Sequence, residues 1–322
     1  MAHSEFDAGS TLVLLPGQDE RPIEATIVHA YTPFTMSPVL RVSLRYPQGV
    51  PPSLGADAPS EAILKLYDRR CLTNTREEFG DTIEYTAHKQ QAYEAYLKLS
   101  TLQSEDSKGI DFDDPEALAD VELSDGEFEG YVAHWTEKFY NTELETYRHL
   151  QSLQGTRIPQ LYTTITYPGA RGIPDPVPGL LLEYVPSLSL RQFIRHNPPY
   201  PLSTIQTVCD DALKTINAVN DLEVLNEDVR LDNLLVRKSA FEEESSKGLP
   251  HCVLIDLSHC RPRKSEENDD EWRQAKQSQD EEGAIGYVVQ REVKEAYSAI
   301  SGSTEDVWVY KPSGRYYSLN ED

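Results

Sequence analysis

The chain has 322 residues and a formal net charge of −24. That balance disfavours nucleic-acid backbones and gives no support for docking on anionic membranes, while it can steer a cationic ligand. No apolar run approaches the ~20 residues needed to span a bilayer, so the composition reads as that of a protein with a sizeable core and acidic loops.

Residues 1–22 read as an N-terminal extension, without the basic start and apolar stretch of a secretory signal. Ile23–Val28 and Val39–Leu44 read as strands, and Ala62–Tyr67 as a third after a loop rich in Pro and Gly. Three strands so close together predict an antiparallel meander. Residues 83–102 have helical composition. Ser104–Gly130 carries eleven Asp or Glu against one Lys, a mixture that buries too little apolar surface to order itself, so it reads as a disordered insertion at about 104–130. Trp135–Leu153 has Phe139, Leu144, Tyr147, Leu150 and Leu153 on one side and predicts a helix, closed by Gly155 and Pro159.

Leu161–Tyr167 and Leu180–Tyr184 read as further strands. Beyond Pro186 the pattern becomes mostly helical: Leu190–His196, then Ser203–Asn220 with Ser203 as an N-cap, and last Gly283–Ser298. Polar stretches at 239–248 and 265–282 read as charged loops. Four cysteines at 71, 209, 252 and 260 show no paired spacing, and free thiols in an intracellular compartment, cytoplasmic or nuclear, are the simplest expectation. The order is α+β: a sheet-bearing part over 23–185 followed by a helical part over 186–322.

The most informative run is Asn226-Glu-Asp228-Val-Arg-Leu-Asp-Asn233-Leu-Leu-Val236, followed by Val253-Leu-Ile-Asp256-Leu-Ser258. An Asp, an Asn five residues on, a strand, and a second strand ending in Asp supply what phosphoryl transfer from a metal nucleotide requires. One carboxylate orients a hydroxyl, and an amide and a second carboxylate hold Mg²⁺. These residues resemble the protein-kinase-like superfamily, near its small-molecule branch of aminoglycoside and choline kinase-like phosphotransferases. The runs Leu153–Pro159 and Lys65–Arg70 look like those of a fungal kinase-like family. The resemblance covers roughly residues 20–300. It implies a two-lobed fold, with a small antiparallel-sheet N-lobe and a larger, mainly helical C-lobe.

The resemblance also implies roles. Asp228 would be the catalytic carboxylate, with Asn233 and Asp256 holding Mg²⁺. Lys65 in its apolar strand would meet ATP phosphates, held by Glu143 on the following long helix, with Glu145 as the alternative. Glu143 lies seven residues before Leu150, and Ile158-Pro159 follows. Glu183 and Val185 stand where backbone groups between lobes would hold an adenine. The acceptor would be a small molecule or protein bearing a hydroxyl, and it is not named by the sequence.

Several positions depart from the family pattern. Asn226 stands where His is usual, Asp256-Leu-Ser258 replaces Asp-Phe-Gly, and no Ala-Pro-Glu follows. Tyr31–Pro38, between the first two strands, contains no Gly to let backbone amides approach phosphates. These departures keep a second expectation open: a catalytically silent scaffold that binds protein partners through its acidic insertions. His251-Cys252 and His259-Cys260 invite a zinc reading, but an extended run of about six residues separates the pairs, whereas zinc sites bring close pairs together through a turn. The 18 tyrosines read as packing; a base-stacking surface would be out of place on so acidic a chain.

Overall fold

The computed structural model describes residues 4–17, 21–55, 57–82, 84–102, 110–118, 121–169, 175–241, 249–301 and 307–316. The chain is α+β and divides into two compact units, one of Met1–Asn141 with Tyr162–Leu182, the other of Thr142–Leu161 with Glu183–Asp322. No helix among the described residues is long and apolar enough to cross a membrane.

The first unit is built on strands β1 (Thr11–Leu14), β2 (Ile23–Ala30), β3 (Val39–Arg45) and β4 (Glu61–Leu66), helices α1 (Thr73–Glu78), α2 (Ala87–Leu102), α3 (Pro115–Leu118) and the start of α4 (Asp125–His149), then β5 (Leu161–Tyr167) and β6 (Val177–Glu183). Its six-stranded sheet runs β1-β2-β3-β4-β6-β5. The expected meander is β2-β3-β4, antiparallel throughout, with Val39 opposite Lys65. The stretch read as an extension contributes β1, which pairs antiparallel with β2. Just past β1, Leu15 exchanges both backbone hydrogen bonds with Thr166 of β5, at 2.9 and 2.8 Å, so the sheet curls until its two edges meet. Strand alternation sends Leu12, Leu14, Ile23, Ala25, Ile27, Leu40 and Val42 to one buried face, where they form the core with Phe6 and Leu181.

The acidic insertion is shorter than its composition predicts. Residues 103–109 and 119–120 lie outside the described part, but Phe112 is buried and α4 already begins at Asp125. The reason is a capping box in Ser124-Asp-Gly-Glu127: the Ser124 N–H and hydroxyl donate to Glu127 (2.9 and 2.6 Å), and the Glu127 N–H donates back to the Ser124 hydroxyl. Phe128 and Tyr131 then pack with Phe79 and Phe112, supplying the apolar contacts that the acid count obscures.

The second unit contains the end of α4, β7 (Ser187–Ser189), α5 (Leu190–Ile194), α6 (Leu202–Asn220), β8 (Val224–Asn226), β9 (Leu234–Arg237), β10 (Cys252–Leu254), β11 (Cys260–Pro262), α7 (Asp269–Gln279) and α8 (Glu281–Ser301). Two small sheets, β10-β9-β7 and β11-β8, carry its loops. Ser203 lies inside α6, whose N-cap position is held by Pro201. The region read as a charged loop at 265–282 is largely helix. Asn268 caps α7 in a box with Glu271, while Trp272 and Lys276 are buried on its inner side. Asp280, in left-handed conformation at φ 42°, ends α7 and accepts the Gly283 N–H of α8. A Cβ on Gly283 would lie 2.1 Å from that carboxylate, so a larger residue there would displace the Asp280 side chain from its contact with the α8 N-terminus.

Ahead of α7, Glu267 takes both Arg261 guanidinium nitrogens at 2.8 Å and the Lys264 N–H at 2.8 Å. The Arg261 contact draws its carboxyl pKa from 4.5 down to about 2. A lowered carboxylate pKa contributes stability that is present above the unfolded value and is lost as pH falls from about 4.5 toward about 2. After allowance for solvent screening the contribution is of order 1 kcal/mol. Glu267→Gln is therefore expected to have a lower urea midpoint than wild type at neutral pH, with the gap narrowing at about pH 3. An equal gap at both pH values would remove the ion pair as its cause.

Candidate functional site

Six of the seven residues expected to serve phosphoryl transfer belong to the second unit. The turn after β8 puts Asp228 partly buried at its tip, and Asn233 closes it just before β9. The Asn233 amide nitrogen donates to the Asp228 carbonyl (3.0 Å) and carboxylate (3.1 Å). Both partners are oxygens, so the Asn233 amide oxygen faces away from them, and it receives no hydrogen bond among the described residues. Asp228 Oδ2 also accepts from Arg230 at 2.5 Å.

Antiparallel pairing of β9 with β10 sets Leu234 opposite Leu254, and the Ile255 N–H donates to the Asn233 carbonyl at 2.8 Å. Asp256 follows directly, two residues past β10. It holds φ at 60°, a conformation uncommon for residues other than glycine, and such positions cluster at functional sites. The Ser258 hydroxyl donates to one Asp256 oxygen at 2.8 Å. Ser258 thus serves as a side-chain brace for Asp256.

Glu143 is fully buried on α4 and accepts the Leu257 N–H at 3.3 Å, whereas Glu145 is exposed. One turn on, Tyr147 is fully buried with its hydroxyl unpartnered among the described residues. Burial, reinforced by the Glu143 and Asp256 charges, raises its pKa well above the ordinary value. Sequence reading saw Tyr147 only as part of an apolar helix face; its hydroxyl at a four-residue step from Glu143 was the available signal.

Asn226 fastens the Asp228 turn. Its side-chain oxygen accepts the Asp228 N–H at 2.9 Å, and its own N–H donates to Glu281 Oε1 at 2.6 Å. Glu281 is buried and paired with Lys276 at 2.6 Å. Neither Glu281 nor Lys276 was visible as a supporting residue in the sequence, because both sit in the run read as a charged loop.

Glu183 is engaged structurally. Its N–H donates to the Gln160 carbonyl (2.8 Å), and its carboxylate accepts the Gln160 N–H (3.0 Å) and lies 3.7 Å from Arg237. The Val185 carbonyl accepts from the Ser187 hydroxyl at 2.8 Å, and the Val185 N–H has no partner among the described residues. Lys65, the seventh residue, belongs to the first unit. It is buried on β4, opposite Val39, with its ammonium 5.6 Å from the Tyr67 ring centroid.

The cysteines of the two His-Cys pairs do not gather. Cys252 is on β10 and Cys260 on β11, in different sheets. Both are buried, and burial drives both thiol pKa values well above the ordinary one, which disfavours the thiolate a metal needs. No group of three or more His, Cys, Asp or Glu among the described residues is arranged to hold a metal ion. No protein-family model matches the chain, and no curated protein matches it.

Proposed function

We propose that this chain is a kinase-like phosphotransferase that moves the γ-phosphate of ATP to a hydroxyl of a small-molecule or protein acceptor. The observation that carries the reading is the coupling of Asp228, Asn233 and Asp256. Asn233 bonds Asp228 through its amide nitrogen and is tied by its carbonyl to the residue before Asp256. Asp228 would accept or orient the proton of the acceptor hydroxyl. The outward amide oxygen of Asn233 and the carboxylate of Asp256 are hard donors of the kind Mg²⁺ takes, and one or two such groups suffice when phosphates and water complete the shell. Bound there, Mg²⁺ would offset phosphate charge. The Val185 N–H, without a partner among the described residues, is a donor for an adenine edge. No covalent enzyme intermediate is needed, because positioning and charge neutralisation account for the catalysis.

Two observations favour a silent scaffold instead. The Asp228 oxygen that would serve the hydroxyl is held by both Arg230 and Asn233, and the Tyr31–Pro38 connection offers no glycine amides to phosphate.

A thermal-shift titration with Mg²⁺-ATP separates the two readings. At about 100-fold over Kd, binding adds ~2.7 kcal/mol, and Tm should rise by several degrees, with the rise lost in Asp256→Asn. Turnover that disappears in Asp228→Ala while the shift persists completes the phosphotransferase assignment. No shift in wild type at millimolar nucleotide would sink it and leave the scaffold.

A further inference from the structure

A cavity of about 570 Å³ lies wholly within the first unit, walled by α2, α4 and the segments after β4 and before β6. That volume is in the range of small-ligand sites. It is separate from the residues of the proposed phosphotransfer site, and its walls combine two chemistries, aromatic faces and carboxylates.

Tyr67, Tyr93, Tyr96, Phe112 and Tyr140 line it. Tyr67 and Tyr140 meet edge to face at 5.3 Å, which fixes both rings. Tyr96 packs against α4 at Gly130, where a Cβ would stand 2.5 Å from a ring carbon; glycine at that position lets the ring form the wall. The cavity already shows what these rings attract. The Arg69 guanidinium sits 3.9 Å from the Tyr93 centroid, within cation–π range.

Charge points the same way. Asp68, Glu137 and Asp175 line the cavity against Arg69 and Arg70, and both guanidinium groups are already neutralised. Arg69 binds buried Glu129 at 3.2 Å and Asp175 at 3.4 Å. Arg70 binds Asp68 and, at 2.9 Å, Glu5. Glu137 is exposed and has no ion-pair partner among the described residues, and Asp175 has only its long contact to Arg69. An anionic ligand would have to break these pairs, while a cation meets Glu137 and can share Asp175, whose 3.4 Å contact with Arg69 is long.

We propose that this cavity binds an alkylammonium ligand. The charge lies against Glu137 and Asp175, and the carbon chain packs on Tyr67, Tyr96, Phe112 and Tyr140. Cation–π and carboxylate contacts together favour the ammonium over an uncharged group of the same shape.

The test is calorimetric titration of the full chain with hexylamine, protonated at neutral pH, and with hexanol as its uncharged counterpart. The ammonium should bind at least about tenfold tighter than the alcohol. A Glu137→Gln/Asp175→Asn double variant, altered only at the cavity rim and expected to melt like wild type, should lose about tenfold in amine affinity with hexanol unaffected. Equal binding of amine and alcohol would overturn the proposal in favour of a plain apolar pocket. Amine binding untouched by the double variant and abolished by salt would show only diffuse attraction to an acidic chain, and absence of binding at millimolar amine would also overturn it.

Discussion

Replacing Lys276 by Met will destabilise the second unit by about 3–5 kcal/mol and lower its melting temperature by roughly 10 °C. The Lys276 ammonium is fully buried. It donates to Asn220 Oδ1 at 2.9 Å, to the Val224 carbonyl and to Glu281 Oε2 at 2.6 Å, with the Trp272 ring centroid 5.2 Å away. Burial lowers the pKa of Lys276 and raises that of Glu281, and in each the pairing works against burial. Desolvation is thus the larger influence on both groups, and the pair is tolerable only as a pair. Met fills much of the lysine stem's volume, so what is removed is the partner charge, leaving Glu281 buried against Asn226.

The double variant Lys276→Met/Glu281→Leu separates charge from packing. Buried ion pairs replaced whole by apolar groups are often neutral in stability, so most of the loss should return. The remaining deficit reports the Asn226 N–H, which loses its 2.6 Å acceptor. Calorimetric melting of wild type, both singles and the double forms the cycle. If Lys276→Met melts within about one degree of wild type, the ammonium contributes nothing net and the network is incidental.

What the sequence made legible here, and what it hid, follows distance along the chain. Val39–Leu44 alternates apolar and polar residues, and the alternation survives as buried Leu40, Val42 and Leu44 between exposed or half-buried neighbours. Asp228 and Asn233 sit five residues apart on one turn, so a local spacing could encode their contact. Asp256 joins them through a strand pair that two short apolar runs announce. By contrast, Glu281 reaches Asn226 across 55 residues, and no local pattern marks it. Trp272 and Lys276 of α7, four residues apart, were the sign of a buried helix face in 265–282, masked by nine charged neighbours in that span. The same masking hid the Ser124-Glu127 capping box behind an acid count. Composition averages over a segment, whereas a cap and a few aromatic contacts decide it locally.

Glu129→Leu is the corresponding change in the first unit, and a loss of about 3–5 kcal/mol is expected. Glu129 falls in the acidic stretch and is only 1% exposed. Its Oε1 accepts from Arg76 at 2.6 Å, while Oε2 accepts from Arg76 at 3.0 Å and Arg69 at 3.2 Å. One carboxylate therefore serves two guanidinium groups on the segment after β4, one of them fully buried. Without it, Arg76 retains Asp81 at 3.0 Å, and Arg69 retains Gln90 at 2.7 Å with the longer Asp175 contact. Those contacts hold the side chains in place but leave a net buried positive charge, and that charge is the source of the penalty. Adding Arg76→Met should recover more than half of the loss by restoring charge balance, a sign of coupling that simple packing damage would not give. A Glu129→Leu protein with a wild-type urea midpoint would show instead that water reaches Arg76 and that the acidic stretch carries no ion-pair hub.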